Sequence, residues 1–400
     1  MKRRSFLKGV GAVTVVAVGG GVWRAHDKGV FSVGKGPAYE PWDNWRAESN
    51  KGPLELVAAA ILAANPFNTQ PWLFKVTDSS IELYADNPRN TGKFDPYLRE
   101  LRIGLGCALE NLMLAASANG YKAALTLLPG KLAGGTERPD RELVARIELL
   151  PGKREETELY RAIPHRHTNR FPYDPQKPVP SEFVEVLSRI ADEESNVRIQ
   201  LFTSDADKNR FVDTCTQAVI QDSPNIDAKS GTSKWIRSDW HEVQQQRDGS
   251  FIDDAGVTPM RAAMIKFLPD SLMQLLTPRP SADLTTLIKG SYTNLLMTGR
   301  LFGLIAVRDM YDQQQSILAG RVWQRAHLLA TARGLAARPA NQPVQLVDHQ
   351  KMYGKAPDEQ RVLAQLTGDD SWHSTFMFYM GYPIRQATPT ARRPVQAVTI

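Results

Sequence analysis

The chain holds only two cysteines in 400 residues, Cys107 and Cys215. That is too few for a disulfide framework. Cys107 stands in an apolar helical run and reads as a small core residue. Long basic tracts are missing as well. The 49 Lys and Arg against 43 Asp and Glu leave a net charge of +6, spread along the chain. So thin a surplus excludes the footprint of a nucleic-acid binder. The motifs His-Glu-x-x-His, Gly-x-Ser-x-Gly, Cys-x-x-Cys and a phosphate loop ending Gly-Lys-Ser/Thr are all absent. Their absence excludes the corresponding zinc, serine-nucleophile, dithiol and P-loop chemistries. Gly104 and Gly106 do not open a dinucleotide fingerprint, because Leu109 stands where a third glycine belongs and no strand leads in. His165 and His167 lack a third or fourth ligand at metal-site spacing.

What remains is the composition of a globular protein, 42% apolar and 23% charged, long enough for one large or two ordinary domains. Residues 1–30 read as a targeting segment or anchor. Lys2-Arg3-Arg4-Ser5-Phe6-Leu7-Lys8 resembles a twin-arginine export signal, and Gly9–Val22 follows as an apolar run too short and too Gly-rich for a spanning helix. No Ala-x-Ala site marks a cleavage point, so cleaved signal and retained anchor both stay open. Export predicts a periplasmic or outer-face location at the inner membrane, with the export machinery and the membrane surface as partners. Residues 31–52 form an aperiodic arm, with Trp42 and Trp45 as its anchors on the body.

The centre of the chain is Ala63–Trp72, Ala-Ala-Asn-Pro-Phe-Asn-Thr-Gln-Pro-Trp. An alanine-rich helix, Leu54–Ala64, leads in, and a strand, Leu73–Val76, leads out to a hairpin partner at Ile81–Tyr84. Asn68 and Gln70 carry amide donors and acceptors, and Pro66 and Pro71 stiffen the turn. Leu101–Tyr121 is the strongest helix and apolar nearly all round, so it is expected to be buried. Strands at Ala123–Leu128 and Leu143–Leu149 follow. In Arg166-His167-Thr168-Asn169-Arg170 the alternation places Arg166, Thr168 and Arg170 on one face of an extended segment. Two guanidiniums and a hydroxyl on one face suit a phosphate; a solvated basic loop is the alternative. Ser181–Ile190 and Lys208–Ile220 read as helices, Arg198–Phe202, Leu301–Val307 and Phe376–Tyr379 as strands. Residues 222–299 lack the core pattern and read as an inserted lid, or as a dimerisation or membrane-facing element. Arg338–Pro343 reads as a turn leading to Val344–Val347. Ala108–Tyr121 and Val322–Leu335 are both apolar helical runs closed by Gly plus a large residue, which predicts an internal duplication.

The turn at Asn68, the Arg-x-Thr-x-Arg segment and the paired helices together resemble the nitroreductase superfamily, in particular exported members akin to an actinobacterial dormancy-linked group. Phe67 departs from the small residue expected in that turn. The resemblance implies an α+β fold, a mainly antiparallel sheet wrapped by helices, with two related halves imitating a homodimer in one monomeric chain: residues 53–157 and 158–400. It implies FMN as cofactor, with Asn68 and Gln70 at the ring and Arg166, Thr168 and Arg170 at the phosphate. Arg393 (or Arg392) is a third phosphate candidate. Flavin would carry the hydride and electrons to a small-molecule acceptor, and no side chain is assigned a catalytic role. His327 could face the ring but reads as a helix histidine. A flavin-sequestering protein without turnover is the alternative reading, which Phe67 and the long insertion favour. A third is a cofactor-free structural relative at the membrane surface. Nicotinamide donors are not expected outside the cytoplasm, so export and the usual electron donor pull apart.

Overall fold

The computed structural model describes residues 21–47, 51–135, 138–268 and 284–400. The twin-arginine stretch and most of the Met/Leu-rich patch at Phe267–Leu276 lie outside the described residues. The fold is α+β, and every pairing in its sheets is antiparallel. The strands divide into two four-stranded sheets rather than a single central one.

The first sheet is built from β1 (Trp72–Val76), β2 (Ser80–Asp86), β3 (Tyr121–Leu127) and β4 (Arg141–Pro151), in the order β1-β2-β4-β3. β2 alternates buried and part-exposed residues along its whole length, as a strand with one covered face must. The helix α1 (Pro53–Ala60) precedes β1, and α2 (Arg99–Ala118) joins β2 to β3.

The second half repeats this plan. A helix, α3 (Ser181–Ser188), precedes β5 (Val197–Phe202), and β6 (Leu301–Val307), α7 (Gln313–Ala332), β7 (Ala336–Pro339) and β8 (His373–Gly381) complete the order β5-β6-β8-β7. Every residue of β6 is buried, because α7 packs on it from one element and α4 (Asp205–Asp222) from another. Between β5 and β6, where the first half has a tight turn, the chain inserts α4, α5 (Trp240–Gln246), α6 (Pro259–Phe267) and further helices at Ile226–Ser233 and Leu284–Met297. Between β7 and β8 it adds α8 (Gln342–Met352) and α9 (Asp358–Thr367). Val344–Val347 therefore belongs to a helix, started by Pro343 near its N-terminus, where a missing N–H is harmless.

The halves meet at α2 and α7, each 20 residues long. The crossing is reciprocal. A Cβ on Gly106 would lie 2.0 Å from the Ile317 carbonyl oxygen, and one on Gly320 would lie 2.1 Å from that of Ile103. Gly106 stands to Gly120 in one helix as Gly320 stands to Gly334 in the other, and both closing glycines have positive φ, +83° and +72°. That is how a two-fold axis places equivalent residues on each other. The helix α2 is long and apolar enough to cross a membrane by composition, but 83% of that stretch is buried in the protein, as a central core helix requires.

The termini bind the halves further. Trp42 and Trp45 are buried; the Trp42 indole N–H donates to the Thr390 carbonyl at 2.7 Å. The C-terminal tail returns to the first sheet, where Phe74 N donates to Val398 O at 2.8 Å and Ile400 N to Phe74 O at 2.9 Å. Residues 21–30, which the sequence groups with the targeting segment, pack on the insertion: Lys266 Nζ donates to Gly29 O at 2.9 Å.

Candidate functional site

The loop from Asn65 to Gln70 is tightly wound. Phe67, Asn68 and Gln70 all take left-handed backbone angles, φ 48°, 53° and 49°. Such strain persists only where the surroundings over-determine it. Here they do. The Asn65 carboxamide oxygen accepts from Gln70 N at 2.8 Å. Gly249 N donates to the Asn68 carbonyl at 3.1 Å.

The Asn68 and Gln70 side chains are saturated by the protein itself. Asn68 Nδ2 donates to the Gly249 and Ala391 carbonyls at 3.0 and 2.8 Å, and its Oδ1 accepts from Arg392. Gln70 Nε2 donates to the Arg247 carbonyl at 2.8 Å, and its Oε1 accepts from Arg393 N at 2.8 Å. Both amides thus clip the insertion and the C-terminal tail to the loop. The Asp248 carboxylate between those two clip points receives Arg89 and Arg237. Nothing in residues 65–72 alone could show that Arg247-Asp248-Gly249 would arrive to complete them.

Beside this loop lies a cavity of about 1100 Å³. Asn65, Pro66 and Phe67 line one wall, and Gly104 and Cys107 of α2 another. Phe67 meets Phe94 edge-to-face at 4.8 Å and narrows the space. The second half supplies Trp323 of α7, Arg338 of β7, Asn341 and Phe376. The insertion covers the cavity with Trp240, Phe251 and Asp254 among others, and Arg24 and Lys28 approach from the N-terminal side.

Of the residues singled out in the sequence, Thr168 and Arg170 reach this cavity. Arg170 Nη1 donates to the Asp254 carbonyl at 2.9 Å and pairs with its carboxylate at 3.4 Å. Arg338, on the neighbouring strand, donates to the Arg170 carbonyl at 3.1 Å. Arg166 turns the other way. It is buried, with Nη2 on the Leu62 carbonyl at 3.1 Å and Nη1 3.4 Å from His327 Nδ1. Burial pushes its pKa down to about 10. Burial, reinforced by Arg166, also holds His327 well below its ordinary value, so the ring is neutral and packs on Trp323 at 5.0 Å instead of facing the cavity. His167 stacks edge-on against Trp42 at 4.5 Å; burial, then Arg166 and Arg392, push it down to about 3. Arg393 pairs with Asp86 at 3.8 Å, and Arg392 lies over the Trp42 ring at 4.8 Å. The Nε atoms of Arg166 and Arg392 are buried and have no hydrogen-bond partner among the described residues.

Sequence reasoning passed over Glu100, Arg338 and Asn341. Asn341 Nδ2 and Gln345 Nε2 both donate to Glu100 Oε1, at 2.5 and 2.9 Å, fixing a carboxylate in the cavity wall. The run Asn341-Gln342-Pro343 after β7 was the available signal, since it echoes the Asn, Gln and Pro of the first loop. The duplication does not repeat the small residue at the cavity wall. Arg321 occupies the place in α7 that Cys107 holds in α2, and it is tied to Glu110 at 2.8 Å and Glu194 at 3.5 Å.

No protein-family model matches the chain. Two curated Mycobacterium tuberculosis proteins, from strains CDC 1551 / Oshkosh and ATCC 25618 / H37Rv, are 32% identical to it over 142 residues; each is provisionally named an NAD(P)H nitroreductase. The match covers 35% of this chain and 38% of each relative's length. Among solved structures, the FMN-dependent nitroreductase NfnB of Mycobacterium smegmatis in complex with NADPH overlaps 61% of this chain and 97% of its own, at 15% identity and a TM-score of 0.36. A nitroreductase-like family protein of Bacillus cereus overlaps 61% and 95%, at 10% identity and a TM-score of 0.33. Overlays this loose assign no residue. The similarity to nitroreductases is thus local in sequence, and it falls on a chain whose two halves enclose one large, partly basic cavity.

Proposed function

We propose that the chain is an FMN-binding, nitroreductase-like oxidoreductase, exported through the twin-arginine route, that passes hydride or electrons to a small-molecule acceptor. The observation that carries the reading is the wall on which Thr168, Arg170 and Arg338 stand side by side. Forked guanidinium donors and a hydroxyl on one cavity wall suit a phosphate monoester. The volume fits a cofactor of this size with room for a second ligand. The local likeness to proteins named NAD(P)H nitroreductases points the same way.

In this reading Arg170, Arg338 and Thr168 hold the phosphate, while Asn65, Pro66 and Phe67 border the ring. Bound FMN would supply the redox chemistry. The protein's own part is to orient the ring, exclude water with the insertion, and hold the Glu100 side chain in place at the wall through Asn341 and Gln345. Asn68 and Gln70 act one step back, by fastening the lid to the loop.

That fastening supports a second reading, FMN storage without turnover, because an insertion clipped by two side-chain amides opens less readily to an acceptor. One experiment separates the readings. The visible spectrum of the purified protein is recorded with FMN, then under anaerobic NADPH, then with dithionite. Flavin bands that bleach with NADPH support the oxidoreductase. Bands that bleach only with dithionite support storage or a different electron donor. Failure to retain FMN after reconstitution overturns both.

A further inference from the structure

The insertion carries an apolar face that the cavity does not use. Met260, Met264 and Phe267 recur at helical spacing along α6 and are 77%, 51% and 37% exposed. The opposite side of the same helix is buried through Ala262 and Lys266, and Lys266 is paired with Asp253 at 2.9 Å. Residues 21–27 form a second helix alongside. Arg24 Nε donates to the Phe267 carbonyl at 2.7 Å, and a Cβ on Gly21 would touch the Phe267 ring at 4.0 Å. This helix adds Val22 and Trp23, which are 60% and 69% exposed. Five large exposed apolar side chains thus stand on two adjoining helices. Soluble surfaces seldom keep such a patch without a partner.

Two features identify the partner. The apolar run Gly9–Val22 ends in the sequence at Val22, itself one of the patch residues. The patch is also flanked by the exposed Arg261 of α6, and the sequence leading to Val22 carries Lys2, Arg3, Arg4 and Lys8. Apolar side chains, an exposed tryptophan and basic residues beside them are the composition of a helix lying in a bilayer interface. We infer that the face formed by Val22, Trp23, Met260, Met264 and Phe267 docks on an anionic membrane surface. Docking has a structural consequence. Arg24, Lys28, Ile265 and Lys266 line the cavity from the other side of the same two helices. The lid of the cavity is therefore also the membrane-contacting element, and the cavity lies directly beneath the docked face. This inference does not depend on what the cavity binds.

The test uses the full chain and vesicles of phosphatidylethanolamine with phosphatidylglycerol. Cys107 and Cys215 are buried, so a new surface cysteine takes a label selectively. An environment-sensitive fluorophore on Met264→Cys should shift to the blue when vesicles are added, while the same label on Val362→Cys in α9 should not. In sedimentation with vesicles, Trp23→Glu combined with Met260→Glu should lower partitioning roughly tenfold, because a charge replaces apolar contact with the interface. Three results overturn the inference. One is no shift at position 264, or equal shifts at both positions. Another is unchanged partitioning of the double variant, which would leave residues 1–20 as the whole attachment. The third is a shift at 264 that follows protein concentration without vesicles, which would make a second copy of the chain the occupant.

Discussion

Gly106→Ala gives the sharpest test of how the halves are joined, because two effects oppose each other in sign. In the interior of a 20-residue helix, alanine is favoured over glycine by about 1 kcal/mol. Were that all, the variant would be stabilised. The crossing with α7 says otherwise. The new Cβ would lie 2.0 Å from the Ile317 carbonyl oxygen and 2.9 Å from Gly320 Cα. Both are backbone atoms of a regular helix, so no side chain can swing aside. The helices must part by roughly 1 Å along a crossing that forms the centre of the core, and close packing makes that costly. Overpacking of a tight core costs about 3 kcal/mol at its upper typical range. Net of propensity, Gly106→Ala should destabilise by about 2 kcal/mol. Thermal unfolding followed by circular dichroism should show a Tm lower by about 2 °C. Gly320→Ala should match it, since its Cβ meets Ile103 in the same way. The double variant should cost less than the sum, because one separation of the helices relieves both clashes. An unchanged or raised Tm for Gly106→Ala would refute the reciprocal crossing.

Three further outcomes are expected. Arg170→Ala and Arg338→Ala should each weaken FMN binding about tenfold, the worth of one charge-assisted hydrogen bond; flavin fluorescence titration reads it, and unchanged affinity in both would move the phosphate elsewhere. Asn68→Ala should release the Arg247–Gly249 segment, seen as faster amide exchange at Gly249, and should destabilise by about 2 kcal/mol because it strands buried partners and places alanine at positive φ. His349 links α8 to Asp222 at 2.8 Å and to the Phe94 carbonyl at 3.2 Å. Burial pulls its pKa down, but the bond and charge of Asp222 outweigh burial and the net shift is upward from 6.5. A raised folded pKa means that its stabilisation is complete below pH 6.5 and fades as pH rises through the folded value. The Tm of His349→Gln should therefore differ from the parent at acidic pH and converge with it as pH rises; a constant gap would count against the ion pair.

Much of the plan was legible in residue order. The hairpin of β1 and β2, the burial of α2 and the existence of strands β3 and β4 follow from periodicity and turn chemistry, which are local properties. The likeness of Ala108–Tyr121 to Val322–Leu335 is also visible as text. It becomes structure in two identically ordered sheets and in the Gly106–Gly320 contact. The site was legible only in part. Thr168 and Arg170 reach the cavity, but Arg166, two residues earlier in the same alternating run, is drawn inward by the Leu62 carbonyl and His327. Alternation describes a strand; the turn at Ile163–His165 just before Arg166 breaks it.

What the sequence by itself determined is which stretches become helix or strand and which of their faces seek the core, since those depend on neighbours along the chain. Only the tertiary structure decided where the amides of Asn68 and Gln70 point. Their partners, Arg247, Gly249, Ala391 and Arg393, come from an insertion and a tail far away in the sequence. A buried amide takes whichever donors and acceptors long-range packing brings to it, because leaving them unpaired costs more than any local preference can offset.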